Sequence, residues 1–363
     1  MKVTVLQENL LPKLSAVSRF ASARAALPVL ENILLSAEEG VLKLSATDLE
    51  IGVRTKVGAK VEKEGATTIP ARLLGGLISN LPPGKLILTV EKDILTVEGE
   101  GFSSKINGLP SSEFPSFAEE GKKLFDISAK ELKETVSQVS FAAAQDDSRP
   151  ILTGLMLKLA GGVLTVAGVD GFRLAEKKLK MEGEDFSIII PARSFAEMAK
   201  LVDGEVEVSH SEDGQLIFRT PDFLIFAQAL EGEFPDYEQI IPLNFETKIH
   251  FSKGDLQKAV QLTSVFADGG VSIVVLNHNP KGKVLEVASQ EAETGEARTS
   301  VPISGEGKEG TIAFNSHYLA DALNALPGDE VNLALNSALD PVLFTVPKDK
   351  DYLHVIMPVR LQG

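Results

Sequence analysis

Residues 69–81 read IPARLLGGLISNL, and residues 190–202 read IPARSFAEMAKLV, the same opening displaced by 121 positions. A third version, FNSHYLADALNAL at 314–326, sets Asn315 where Pro191 stood, 124 positions on. A second segment recurs upstream of each: LQENLLPKLSAVSRFA from Leu6, ISAKELKETVSQVSFAA from Ile127 and FSKGDLQKAVQLTSVFA from Phe251. Self-similarity at a fixed period marks a repeated structural unit. Three units of about 120 residues fill the 363-residue chain. The domains are therefore expected over 1–119, 120–244 and 245–363. Their polar joints, near 117–125 and 242–248, follow Phe114-Pro115 and Phe234-Pro235.

Each unit reads alike. A short strand leads into an amphipathic helix. In the second unit Leu132, Val136, Val139 and Ala143 recur at three- and four-residue steps. Ser128 with Glu131 forms a capping box ahead of them. Period-two strands follow; in the first unit these are NILLSA, VLKLSAT and IGVRTKV, broken at Glu39-Gly40. A second helix opens at Pro70 or Pro191, where a fixed φ suits a helix start. Three more strands close the unit: LILTVEK, ILTVEGE and FSSKING in the first, EVEVSHS, QLIFRT and FLIFAQAL in the second. Tight Gly, Asp-Gly and Pro turns imply antiparallel pairing. The class is α+β, with three repeated domains of two helices and about eight antiparallel strands each.

Apolar residues make up 44% of the chain and charged ones 24%, which excludes disorder as its main state. No run approaches the roughly 18 apolar residues of a membrane span. The start, MKVTVLQENLLPKL, has no long apolar run and no small-residue cleavage site, so a cytoplasmic chain is expected. The absence of cysteine excludes disulfides, thiol nucleophiles and cysteine-held metals. The net charge of −15 argues against binding nucleic acid by phosphate neutralisation alone. The helices, however, carry an excess of bases, leaving the strands and loops strongly acidic. Such a charge division orients a polyanion to one side.

Enzyme signatures are missing. There is no GxxxxGK[ST] loop, no GxGxxG after a strand, no HExxH and no GxSxG. His210, His250, His278, His317 and His354 stand singly, without metal-ligand spacing, and read as structural or solvated. Asp146-Asp147 and Asp349-Lys350-Asp351 read as solvated loops, and Asp170-Gly171 as a turn in which glycine supplies a positive φ. No catalytic residue, metal or cofactor is expected.

Several stretches together carry a family likeness: LPVLENILL (27–35), TDLEIG (47–52), TTIPAR (67–72), VDGFRLA (169–175), IIPAR (189–193), EFPDYEQIIP (233–242), FNSHYLADALNAL (314–326) and VIMPVRL (355–361). In their order and spacing the chain resembles, over its whole length, the bacterial DNA polymerase III beta subunits, the replicative sliding clamps. The resemblance implies a clamp fold and a head-to-tail homodimer of six similar domains that encircles duplex DNA without regard to sequence. It also implies a non-catalytic processivity factor of the DNA polymerase III holoenzyme. Its partners would be the polymerase alpha subunit, an ATP-driven clamp loader and other proteins bearing a clamp-binding motif. Topological retention answers the charge objection, since a ring need not hold phosphates tightly.

Carried over residue by residue, the resemblance assigns DNA contact to Arg24, Arg72, Gln145, Arg149 and Arg193. It assigns a peptide-binding pocket between the second and third domains to Leu152, Val169, Gly171, Arg173, Leu174, Pro235, Ile240, Tyr318, Val355, Met357 and Pro358. It assigns the protomer interface to a first-domain edge strand with Lys105 and Ile106, the stretch 264–272 with Val265 and Phe266, and the acidic run Glu291, Glu293 and Glu296. Phe172, Gln239 and Val169 depart from the histidine, arginine and threonine that relatives carry, and Gln362-Gly363 extend past the family's usual Arg-Leu end.

Overall fold

Period-two burial builds most of this molecule. The computed structural model describes residues 1–22, 27–146, 148–266, 272–291, 295–347 and 349–361. The first repeat runs β1 (Lys2–Leu6), α1 (Gln7–Ser18), β2 (Asn32–Glu38), β3 (Val41–Thr47), β4 (Ile51–Gly58), β5 (Lys60–Lys63), β6 (Gly65–Pro70), α2 (Ala71–Ser79), β7 (Lys85–Glu91), β8 (Ile94–Gly99) and β9 (Phe102–Asn107). The second runs β10 (Lys122–Ser128), α3 (Ala129–Val139), β11 (Gly154–Ala160), β12 (Val163–Val169), β13 (Arg173–Lys180), β14 (Phe186–Pro191), α4 (Ala192–Ala199), β15 (Glu205–His210), β16 (Gln215–Arg219) and β17 (Phe223–Gln228). The third runs β18 (Thr247–Ser252), α5 (Lys253–Ser264), β19 (Ile273–Asn279), β20 (Val284–Glu291), β21 (Gly295–Pro302), β22 (Ser304–Glu306), β23 (Gly310–Asn315), α6 (Ser316–Ala325), β24 (Glu330–Leu335), β25 (Val342–Val346) and β26 (Asp349–Ile356). Two helices per repeat match the expectation, as do nine, eight and nine strands among the described residues. The short β5 and β22 are the additions.

Local signals set the helix starts. Glu131 N–H donates to Ser128 Oγ at 3.2 Å, the capping half of the expected box ahead of α3, and that hydroxyl in turn donates to Glu131 Oε2 at 2.6 Å. Leu132, Val136 and Val139 on α3 are buried, as is Ala143 beyond it. Pro70 and Pro191 end strands and stand one residue before α2 and α4, rather than inside their first turns.

The chain divides into two compact units, one of Met1–Lys133 with Glu197–Ala229, the other of Glu134–Ala196 with Leu230–Gly363. The division passes through the second repeat because strand pairing does. In the first unit an eight-stranded sheet has the order β10-β15-β16-β17-β4-β3-β2-β6, and a five-stranded one β5-β1-β7-β8-β9. In the second unit a nine-stranded sheet has the order β14-β11-β12-β13-β26-β25-β24-β18-β22, and a four-stranded one β21-β20-β19-β23. All the recorded strand pairs are antiparallel.

Two seams are built alike. The fourth strand of the first repeat, β4, pairs with the last strand of the second, β17, Thr55 opposite Phe223 and Ile51 opposite Ala227. The fourth strand of the second, β13, pairs with the last strand of the third, β26, Arg173 opposite Ile356 and Lys177 opposite Tyr352. The fourth strand of the third repeat, β21, and the last strand of the first, β9, each stand at the edge of their sheets.

Candidate functional site

The site is built around the second seam, in the second unit. Successive residues of a strand face opposite sides, and on β13 these are Arg173 and Leu174. Leu174 joins an apolar cluster with Met156, Ala167, Val169, Tyr237 and Val355, against which Phe234, Ile241, Leu343 and Leu353 pack. Tyr237, from the EFPDY segment, donates its hydroxyl to Glu176 Oε2 at 2.8 Å. Burial, with the Glu176 charge beside it, holds the Tyr237 phenol above its ordinary pKa.

On the other side Arg173 is buried and held by two carboxylates and two rings. Its Nε donates to Asp170 Oδ2 at 3.0 Å and its Nη1 to Asp321 Oδ2 at 2.6 Å. Its guanidinium lies 4.3 Å from the Tyr318 ring centroid and 5.3 Å from that of Phe141. Asp170 also caps the turn, its Oδ1 accepting from the backbone N–H groups of Phe172 at 2.8 Å and Arg173 at 2.9 Å. Gly171 has φ +90°, as its turn role requires, and a Cβ there would stand 2.8 Å from Arg149 Nη1. Arg149 Nη2 donates to the Asp170 carbonyl at 2.8 Å. Phe172, exposed, stacks against Tyr318 at 6.4 Å. Arg149, Asp170, Phe172, Arg173, Tyr318 and Asp321, together with Gln145 and His317, border a cleft of about 340 Å³. Turn 170–172 thus carries an open cleft on one flank and the apolar cluster on the other.

The pocket residues named from the sequence divide accordingly. Val169, Leu174 and Val355 are cluster core, and Leu152 is buried in a 3₁₀ turn. Arg173 and Tyr318 line the cleft, and Gly171 sits in the turn between two of its lining residues, Asp170 and Phe172. Pro235 and Ile240 are exposed on the EFPDYEQI stretch, with Ile240 at 41%. Met357 and Pro358 are half-buried just past β26, and Met357 N–H donates to the Phe172 carbonyl at 2.8 Å, tying the tail to the turn.

Of the DNA-contact set, Gln145 and Arg149 are exposed beside the same cleft. Arg72 and Arg193 are exposed at the second positions of α2 and α4. Arg24 lies outside the described residues. Of the interface set, Lys105 is exposed on the edge strand β9, while Ile106 is buried toward its own sheet. Val265 is 72% exposed and Phe266 half-buried after α5. Glu296 pairs with Arg298 on β21 at 3.2 Å. Glu293, residues 267–271, Asp147 and Gln362-Gly363 lie outside the described residues, as does the side chain of Glu291.

Two acids do more than expected from the sequence, and Asp349, read as part of a solvated loop, is the first. Asp349 begins β26 and accepts from the buried Lys177 Nζ at 3.0 Å, because opposite charges on neighbouring strands satisfy each other better than water could at that depth. Asp321, unremarked in the sequence, completes the Arg173 cage. Its only local signal is its place three residues after Tyr318 on α6. His354 was also unforeseen in this role: it is fully buried, 5.3 Å from the Phe141 ring, with neither ring nitrogen hydrogen-bonded. Burial, with the Arg173 charge adding, lowers its pKa to about 3. Among the described residues no cluster of His, Asp or Glu could hold a metal ion, and no helix is long and apolar enough to cross a membrane.

Three family models match in succession: the N-terminal, central and C-terminal domains of the DNA polymerase III beta subunit, over 1–118, 126–236 and 238–360. The beta sliding clamp of a Synechocystis strain is 32% identical over 99% of this chain and all of its own length. The solved sliding clamp of Bacillus subtilis superposes with a TM-score of 0.95 at 26% identity, covering both chains completely. The Pseudomonas aeruginosa clamp bound to griselimycin superposes with a TM-score of 0.93 at 29% identity, over 99% of this chain and all of that one.

Proposed function

Because the chain belongs to the bacterial DNA polymerase III beta-subunit family, the sliding clamps, we propose that it works as a head-to-tail homodimeric ring. The ring encircles duplex DNA in the cytoplasm and tethers the replicative polymerase. The observation that carries this reading is the repeated seam. Twice within one chain the fourth strand of a repeat pairs with the last strand of the next. Among the described residues the rule leaves β21 and β9 without a seam partner, each at a sheet edge. An open edge is a template for another strand, and two copies, each offering β21 to the other's β9, use up all four edges. A closed two-fold arrangement follows from one rule applied three times. The three domains of such a ring would be 1–119, 120–244 and 245–363.

The clamp itself performs no chemistry; polymerisation and proofreading belong to its partners. Exposed Arg72 and Arg193 at equivalent helix starts, with Arg24, Gln145 and Arg149, supply a mildly basic lining for the duplex. Tight phosphate contacts would act as a brake, and a ring needs none to stay on. The turn at 170–172, with Ile240, Pro235, Met357 and Pro358 around it, receives the linear motif of the polymerase alpha subunit, the clamp loader and other partners. Apolar anchors seat toward the Leu174 cluster and polar groups toward the Arg149 cleft. The griselimycin complex of the Pseudomonas clamp supports a ligand-binding surface in this family.

The test is retention. Protein loaded onto nicked circular DNA by a clamp loader should co-elute with it and be lost when one restriction cut linearises the circle. Loss from both forms, or retention on both, would overturn the ring.

A further inference from the structure

At the first seam, where β4 pairs with β17, the first unit has a recess whose chemistry runs against that of the chain. A cleft of about 260 Å³ opens there. In a chain of net charge −15 it is lined by four cations, Lys43, Arg54, Lys56 and Arg219, against two acids, Glu119 and Asp222. Asp222 is already taken, with Lys13 Nζ 2.6 Å from its Oδ1. Lys43 pairs with Glu38. Lys56 is exposed and makes no ion pair among the described residues.

Arg54 is the anchor. Its guanidinium lies 4.5 Å from the Phe117 ring centroid, Phe117 in turn stacks on Phe226 at 4.0 Å, and Nε donates to Ser45 Oγ at 3.1 Å. These contacts fix the plane of the fork, so an arriving carboxylate loses little to ordering it.

One carboxylate stands there now. Glu119 pairs with Arg54, Arg219 donates to the Glu119 carbonyl, and Ala118 N–H donates to Gln215 Oε1 at 3.0 Å. The Arg54 fork, with Lys43 and Arg219 near, holds the Glu119 carboxyl below its ordinary pKa. The cleft therefore reads an acidic stretch twice, at the side chain and at the main chain. Yet the Glu119 side chain is 58% exposed, and an ion pair so exposed is weak and exchangeable.

We propose that this cleft is a docking site for an acidic, extended segment of another protein, which displaces Glu119 from Arg54. A peptide is favoured over a phosphate polyanion because the seated group is a glutamate together with its own carbonyl. The proposal goes beyond the clamp reading, and its test needs neither DNA nor a loader.

The probe is fluorescein-labelled SFAEEG, the sequence of residues 116–121 as a free peptide, read by anisotropy against the full chain at low salt. Glu119→Gln, which vacates the fork, should bind it at least five-fold more tightly than the unsubstituted chain. Adding Lys56→Gln or Arg219→Gln should reverse that gain, and a probe with glutamine for both glutamates should not bind. Lys56 supports nothing else, so its variant keeps the test valid if an Arg219 variant fails to fold. Equal affinity of Glu119→Gln and the unsubstituted chain would overturn the proposal. So would displacement of the probe by inorganic pyrophosphate at concentrations where a second acidic peptide does not compete, which would mark a phosphate site.

Discussion

The Asp170 carboxylate holds Arg173 twice: the guanidinium Nε meets Oδ2 at 3.0 Å, and the Arg173 backbone N–H meets Oδ1 at 2.9 Å. One carboxylate therefore both shapes the turn and neutralises a cation whose side chain is 5% exposed. Leaving a buried charge wholly uncompensated costs about 3–5 kcal/mol; here Asp321 stays on Nη1, but alanine at 170 loses the turn acceptor as well. Asp170→Ala should approach that cost by urea unfolding. Asp170→Asn, which keeps the turn acceptor, should cost about 1.5–3 kcal/mol. Equal losses would mean the charge, not the turn, dominates.

His354 predicts a pH dependence. Its folded pKa is lowered to about 3 from an ordinary 6.5, chiefly by burial. The unfolded chain thus binds a proton between those values that the folded chain refuses. Stability is complete above pH 6.5 and falls as pH drops toward 3, by a few kcal/mol from this one group. His278, lowered by burial, acts in the same direction. His354→Leu removes two unpaired buried nitrogens and should flatten the slope between pH 6.5 and 4 while holding or raising the urea midpoint at pH 5. A slope unchanged by the substitution would assign the acid sensitivity elsewhere.

Leu49 carries strain that the second repeat avoids. In both repeats an aspartate caps the turn: Asp48 Oδ1 accepts from Glu50 and Ile51 N–H as Asp170 Oδ1 does from Phe172 and Arg173. The next residue is left-handed in each, Gly171 at φ +90° and Leu49 at φ +82°. For leucine that conformation costs roughly 1–2 kcal/mol, and its side chain, half exposed, contributes little packing in return. Leu49→Gly should raise stability by about 0.5–1 kcal/mol once the greater freedom of unfolded glycine is subtracted. A loss would show that the exposed leucine packs against something in the assembled protein.

Period-two runs such as VLKLSAT and helix caps such as Ser128 with Glu131 depend on residues a few positions apart, so they were legible in the sequence. So was the positive φ at Gly171. Seam pairing was not. Nothing local tells Ile51 that it will face Ala227, or Arg173 that it will face Ile356. Arg173 read as a pocket contact; its cage of Asp170, Asp321, Phe141 and Tyr318 gathers from three separate stretches, and a charged residue in a strand carries no mark of burial. The two EFPx(F/Y) segments show the same limit. They match in sequence, yet Phe117 lies under Arg54 while Tyr237 bonds Glu176, because equivalent positions of β4 and β13 carry opposite charges.

The Arg173 cage also decides how the pocket must be tested. Arg173→Ala would strip Asp170 and Asp321 of their shared cation, so weakened peptide binding in that variant would report a collapsed turn as readily as a lost contact. Ile240 and Met357 are better probes. Ile240 is 41% exposed and Met357 half-buried, neither in the cluster core. Truncating either leaves the Met357 N–H bond to Phe172 intact. A side chain that packs on an incoming apolar anchor typically contributes about 1–2 kcal/mol to binding when it sits centrally. Ile240→Ala and Met357→Ala should each weaken a fluorescent peptide from the polymerase alpha subunit roughly ten-fold. Urea midpoint and sedimentation coefficient should hold steady. Full affinity in both variants, with both folded, would move the peptide site off this surface.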